Sequence, residues 1–390
     1  MKATAGRQGK ENRSDCYFEV TTARKGGIQL EINSKVASMY GESIRNLIYE
    51  MCEFFEIKNL KIYLEDYGAL PFTLAARFEL AIKRLFPNIE KEFLLPFNPN
   101  SQYGTKKERF RRSRLYLPGN QPKLFINAGL HKPDGIILDL EDSVSPQEKD
   151  AAQLLVRNAL RSVDFYGAER MVRINQLPRG IEDLKFVVPH NVHVILIPKC
   201  ESAEDVLSVK EETDKIRKAY KIRKKIYFMP IIESAKGILN AYEIASASQD
   251  VCAIAIGLED YTADIGAQRT NEGKESFYAR SALVNAAKAA GVQAIDTVFS
   301  DVNDMEGLRA SVLEAKSLGF DGKGCIHPRQ IKVVHEAFAP TEEEIEKAKK
   351  IVAAFEEAKE KGLGVVSLGS KMIDPPVVKR AINTLKYLKN

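Results

Sequence analysis

The chain has 390 residues, 44% of them hydrophobic and 28% charged, with a net charge of +5. It is too long for one ordinary domain and rich enough in apolar residues to bury a large core, and no apolar run approaches a membrane span. Five scattered cysteines (Cys16, Cys52, Cys200, Cys252, Cys325) without a C-x-x-C pair argue for reduced thiols and against a disulfide framework or a zinc site; with the polar start MKATAGRQGKENRSD, they lead us to expect a cytoplasmic protein.

Residues 16–87 read as a small α+β unit. CYFEVTTA and GIQLEIN are predicted strands joined around Lys25-Gly26-Gly27, and Ile28, Leu30 and Ile32 alternate in the second. A helix follows in YGESIRNLIYEMCEFFEI, where Ile44, Leu47, Ile48, Met51 and Phe55 share one face. LKIYLED is a third strand; Pro71 opens a second helix, PFTLAARFELAIKRLF, which Pro87 stops. The domain is taken as 1–95, followed by a polar, charged segment over 96–112 that reads as a flexible, solvated linker. Residues 105–114 (TKKERFRRSR) carry six basic residues against one acidic, and hold essentially the whole net charge of the chain. With one aromatic, Phe110, and a neutral body behind it, this stretch does not point to nucleic acid; contact with phosphates of a nucleotide-bearing substrate fits it better.

From Leu115 a unit recurs: an apolar strand, a polar or charged end, then a helical pattern. The strands are LYLPG, GIILDLED, RMVRINQ, HVILIPKCE, IYFMPIIES, AIAIGLED, QAIDTVFS and GKGCIHP, with room for a crossover helix between successive ones. Eight such units over 113–340 predict a closed (β/α)8 barrel. A doubly wound open sheet is the competing architecture, but the turns lack a glycine-rich phosphate cradle. Residues 341–390 form a C-terminal extension with a charged helix, a strand-like GVVSLGSKMIDPP and a basic helix.

Barrel enzymes carry their reactive groups where strands end and loops begin. Here those ends supply Asn120, Glu141, Asp142, Arg173, Lys199, Glu233, Asp260 and His327. IYFMPIIES and AIAIGLED, one crossover apart, each end abruptly in acid, so Glu233 and Asp260 are expected together at one end of the sheet. Two carboxylates with open positions suit a hard divalent cation, Mg2+ or Mn2+, better than zinc. Arg173 is read as a planar donor for a substrate carboxylate, or else a bridge to Glu141 or Asp142. Glu141 and Asp142 are left between supporting roles and substrate contact, and His327 reads as a histidine of the core rim.

RRSRLYLPGN, ILDLEDSVSPQEK, VRIN, IPKCE, MPIIESAKGILNA, GLEDYTADIG, GCIHPRQ and GSKMIDPP resemble, in order, the citrate lyase beta-subunit family and its malyl- and citramalyl-coenzyme A lyase relatives. The resemblance implies a magnesium-dependent (β/α)8 barrel that breaks a carbon–carbon bond in a 3-hydroxyacyl thioester. It implies Glu233 and Asp260 as metal ligands and Arg173 as the keto-acid clamp. Arg112 and Lys123 would meet the nucleotide end of a CoA thioester. Asp374, in KMID, is similar to a residue that some relatives bring from a neighbouring subunit, and would be the proton donor, with Asp142 in reserve. A homo-oligomer, trimer or hexamer, and a partner resembling the CoA-transferase alpha subunit are implied in the same way. EINSKVASMYGESIR and EDYGAL resemble the citrate lyase gamma subunit, the acyl carrier protein of that complex. Ser14, in NRSDC, would then bear a dephospho-CoA-derived prosthetic group, although GRQGKENRS departs from the usual approach to the carrier serine. The reading that follows is a citryl-thioester lyase fused to its carrier. Its alternatives are a lyase for free malyl- or citramalyl-CoA and a non-catalytic scaffold.

Overall fold

The computed structural model describes residues 1–9, 11–360, 366–368 and 371–387. The small domain comprises β1 (Lys2–Gly6), β2 (Cys16–Thr22), β3 (Ile28–Ser34), α1 (Ala37–Phe54), β4 (Leu60–Asp66) and α2 (Pro71–Leu85). Its sheet order is β1-β2-β4-β3. The two strands read as joined around Lys25-Gly26-Gly27 are therefore not neighbours. α1 crosses over from β3 to β4, so these two strands pair in parallel, and β4, whose Leu60, Ile62 and Leu64 are buried at the sheet centre, lies between β2 and β3. β1, which has almost no apolar signal beyond the buried Ala5, adds antiparallel to β2.

The barrel follows: β5 (Ser113–Pro118), β6 (Gly135–Asp139), α3 (Lys149–Ser162), β7 (Glu169–Arg173), α4 (Gly180–Val187), β8 (Val194–Ile197), α5 (Ala203–Ala219) and β9 (Tyr227–Ile232). Then come α6 (Ala235–Leu239), α7 (Ala241–Ser246), β10 (Ala253–Ile256), α8 (Leu258–Asp264), α9 (Phe277–Ala290), β11 (Gln293–Asp296), α10 (Met305–Leu318), β12 (Gly322–Cys325) and α11 (Arg329–Phe338). β5 to β12 close in sequence order, all parallel, as a (β/α)8 barrel. Ile137, Met171, Leu196, Met229, Ala255 and Ile295 fill its interior, and the second residue set of each strand packs outward against the helices. All five cysteines are free and buried. No helix among the described residues is long and apolar enough to cross a membrane.

The extension consists of α12 (Glu342–Glu360), β13 (Val366–Leu368), β14 (Lys371–Ile373) and α13 (Pro375–Lys386). α12 and α13 share a small core of Ala348, Ile351, Val378 and Ala381. Gly369 and Ser370 of the GSKMIDPP motif lie outside the described residues.

Two sequence expectations are corrected here. The segment 96–112 is not a solvated tether. Ser101 and Arg111 are fully buried, Arg111 holds Glu169 at 2.7 Å, and Phe110 stacks on Tyr387 at 4.8 Å. The basic run thus closes the barrel floor, because strand beginnings in β6 and β7 offer acids to it. Nor does the small domain swing freely. α2 is buried nearly all round, between its own sheet and α3. Arg157 of α3 and Glu79 of α2 form a fully buried ion pair at 2.6 Å, and Asn158 donates to the Phe72 carbonyl at 3.1 Å. Arg7 forks onto Glu148 at 2.8 and 2.9 Å.

Candidate active site

The C-terminal ends of the strands surround a cavity of about 400 Å3, lined among others by Tyr116, Asp139, Asp142, Arg173, Glu233 and Asp260. Glu233 follows β9 directly and is only 6% exposed. Its Oε2 accepts from the Lys199 backbone N–H at 2.8 Å. Burial, with the nearby charges of Glu141 and Asp260, pushes its carboxyl up to about 7. Gly257, at the end of β10, is required by this packing: a Cβ there would stand 2.4 Å from Glu233 Oε1. Asp260 lies in the first turn of α8, half-exposed, with Lys199 Nζ at 3.2 Å.

Arg173 ends β7 and is tied by two carboxylates. Its Nε and Nη2 each donate to Asp139 at 2.6 Å, and Nη1 lies 2.8 Å from Glu141. It is thus oriented from one side, with N–H groups remaining for the cavity. The sequence points to Glu141 or Asp142 as its partner; the structure confirms Glu141 and adds Asp139, the last residue of β6, which the later Glu-Asp pair in GIILDLED hides. Burial raises the Glu141 carboxyl above its ordinary value, with Asp142 adding to the effect. Asp142 itself is exposed at the rim. A further cluster was also missed: Asp296 ends β11 fully buried, held by Arg280 at 3.1 Å and Lys323 at 2.7 Å.

Other predicted site residues lie elsewhere. Arg112 precedes β5 and pairs with Asp134, which precedes β6, at 2.9 Å. In a parallel barrel that is the floor, opposite Glu233, so its expected contact with the nucleotide end of a substrate at this mouth is corrected. Lys123 is exposed in the loop after β5 and does not line the cavity. Asn120, in that loop, is buried and donates to Glu148. His327 accepts from the Arg329 backbone N–H at 3.2 Å, outside the cavity. Asp374 caps α13 by accepting from Val377 N at 3.2 Å and does not line the mouth of its own subunit. Ser14 sits on the β1–β2 connection at φ 61°, its N–H donating to the Tyr67 carbonyl at 3.1 Å. The adjacent Asp15 is buried and forks onto Arg77, whose Nη2 reaches the Asn120 carbonyl at 3.4 Å. The Ser14 loop therefore borders the first loop of the catalytic end.

Among the described residues, no group of three or more His, Cys, Asp or Glu side chains could cage a metal by itself. The mouth instead offers two carboxylates facing open space, one of them buried and short of a counter-charge. That donor set fits a hard cation such as magnesium, which keeps several waters or substrate oxygens, and does not fit zinc.

The family model described as HpcH/HpaI aldolase/citrate lyase matches residues 112–328. The chain belongs to this family. It is 44% identical over 282 residues to the citrate lyase beta subunit of Leuconostoc mesenteroides subsp. cremoris, covering 72% of this chain and 93% of that one. The mitochondrial citramalyl-CoA lyase of Homo sapiens is 35% identical, over 70% of this chain and 84% of its own length. A solved citrate lyase beta subunit from Mycobacterium tuberculosis, complexed with oxaloacetate and magnesium, is 30% identical with a TM-score of 0.52, covering 60% of this chain and all of that one. A second model, that of the malonate decarboxylase delta subunit (MdcD), an acyl carrier type, matches residues 3–85. The chain is thus a family member with a carrier-like domain in front of its lyase barrel.

Proposed function

We propose that this protein is a magnesium-dependent carbon–carbon lyase that cleaves a citryl thioester into oxaloacetate and an acetyl thioester, the acyl group riding on its own N-terminal domain. The observation that carries the reading is the buried Glu233 beside Asp260 at the mouth, next to an arginine tied from behind by Asp139 and Glu141. The likeness to a citrate lyase beta subunit over 93% of its length supports the citryl substrate.

Glu233 and Asp260 would hold the cation. When bound there, magnesium supplies electrostatic polarisation of the substrate's hydroxyl and carboxylate oxygens. Arg173 binds a carboxylate of the departing keto-acid and keeps the breaking bond in line. The hydroxyl gives up its proton as it becomes the ketone, the carbon–carbon electron pair passes into the thioester as an enolate, and the enolate carbon takes up one proton. Asp374 from a neighbouring subunit is the proposed donor, which calls for a homo-oligomer, trimer or hexamer; Asp142 is the donor available within the chain. Ser14 would carry the dephospho-CoA-derived arm. Its hydroxyl has no hydrogen-bond partner among the described residues, and its loop borders the catalytic end through Asp15 and Arg77. A CoA-transferase-like subunit would charge the carrier with citrate.

The test is product release from purified protein given citryl-CoA and citramalyl-CoA, each with magnesium and with chelator. Chelator-sensitive oxaloacetate is expected. The 35% identity to a citramalyl-CoA lyase favours one second reading, in which pyruvate from citramalyl-CoA dominates. Intact mass of the protein co-produced with prosthetic-group transferases tests the carrier: an added mass that Ser14→Ala abolishes is expected, and an unmodified wild type would refute that role.

A further inference from the structure

Arg114 is the second residue of β5, and the strand's alternation turns Arg114, Tyr116 and Pro118 toward the barrel axis, where all three line the active-site cavity. Its side chain is 1% exposed. Among the described residues its side chain makes one hydrogen bond, from Nη1 to the Met229 sulfur at 3.1 Å, and its Nε is buried without a partner. It forms no ion pair among the described residues. Asp296, whose charge it feels, is already taken by Arg280 and Lys323.

The other buried arginines are compensated. Arg77, Arg111, Arg157, Arg173 and Arg280 each face a carboxylate. Arg161 and Arg170 lack one, and Arg170 Nη1 is also buried without a partner, yet the Leu95, Asn191 and Tyr103 carbonyls accept from them. A sulfur is a weak acceptor by comparison. A buried guanidinium without a counter-ion carries a large desolvation cost that an anion entering the cavity would offset.

We propose that Arg114 is the seat for the second carboxylate of the departing keto-acid, and so selects dicarboxylic over monocarboxylic products at this site. The inference rests on the lyase reading. A citryl thioester differs from a citramalyl thioester by one group: a carboxymethyl in place of a methyl on the carbinol carbon. The rim, with Arg173 and the two acids, handles the carboxylate and hydroxyl common to both. The carboxymethyl arm then points down the barrel axis past Tyr116, whose ring lies 5.4 Å from the Arg173 guanidinium, and meets the free N–H groups of Arg114. Arginine suits this because it presents a planar fork to a carboxylate and stays charged even when buried. A citramalyl thioester in the same pose leaves that cation unpaired, and a site built to bond a group discriminates strongly against the analogue lacking it.

The test compares wild type, Arg114→Met and Arg114→Lys by the ratio of kcat/KM for citryl-CoA to that for citramalyl-CoA, together with binding of oxaloacetate and of pyruvate in magnesium. In R114M the ratio should fall about ten- to a hundredfold, the worth of one charge-assisted contact. R114K should recover part of it, and the preference for oxaloacetate over pyruvate should shrink in parallel. Without ligand, R114M should melt at a higher temperature than wild type, since an unpaired buried charge has gone; a structural arginine would give the opposite sign. An unchanged ratio in folded R114M overturns the assignment, as does an R114M that loses stability. A wild type that cleaves neither thioester and binds neither keto-acid overturns the lyase reading itself, which separates the two failures.

Discussion

At the floor of the barrel, Arg111 is locked onto Glu169 with further bonds to the Lys106 and Lys107 carbonyls, and Arg112 forks onto Asp134. At the mouth, Glu233 is buried with other acids near it, and on the cavity floor between the two ends Arg114 has only a sulfur. Both ends bury charge. The difference is that at the strand beginnings each of these ions is answered within the chain, whereas the strand ends leave an acid short of a cation and the cavity leaves a cation short of an acid. Charges of both signs left open in one cavity describe a ligand that brings a metal and carboxylates together. Closed pairs at the other end describe architecture.

The comparison breaks most readily at Glu233. Glu233→Gln should lower oxaloacetate release about a thousandfold, given that a metal contributes several kcal/mol to such a reaction, while circular dichroism reports an intact fold. Wild-type-like turnover in that variant would remove the metal site. At the floor the sensitivity reverses. Glu169→Ala leaves Arg111 buried and unpaired, and should cost about 3–5 kcal/mol in urea unfolding. Turnover per folded molecule should stay near the wild-type value, and a large kinetic defect would mean the ends are not separable in this way.

The smallest effect concerns pH. His190 and His193 precede β8 at the floor, and burial together with Arg161 and Arg170 holds each down to about 3 from 6.5. The unfolded chain then takes up protons that the folded one refuses, so stability is full above pH 6.5 and declines as pH falls from there toward 3. The slope should approach about 1.4 kcal/mol per pH unit for each histidine. Urea midpoints at pH 7.5 and 5.5 measure it, and a flat profile would show that these rings protonate in place.

The barrel was legible because eight apolar runs of strand length recur with helical spacers, and Glu233 and Asp260 because each breaks such a run with an acid. Arg114 was not legible, being one of six basic residues in a run that reads as solvated. Only β-strand pairing turns it inward while Arg111 and Arg112 close the floor. Asp139 was hidden by the Leu-Glu-Asp that follows it. The strand order of the small domain escaped because two consecutive strands suggest a hairpin unless something shows that the helix after them is a crossover. The docking of that domain escaped for another reason: Arg77 and Glu79 make α2 look half solvent-facing, and their partners Asp15 and Arg157 are 62 and 78 residues away.

The fully buried Arg157–Glu79 pair has a bearing on how this polypeptide behaves when cut. A protease nicking an exposed bond between residues 96 and 107 would sever the chain without freeing either piece, since parting them would bare the apolar face of α2 on one fragment and the surface of α3 that it packs against on the other. The two fragments should travel together through a sizing column and part only in denaturant. In this chain the seam between the two units is therefore interior, and covalent linkage between them is not what holds them together.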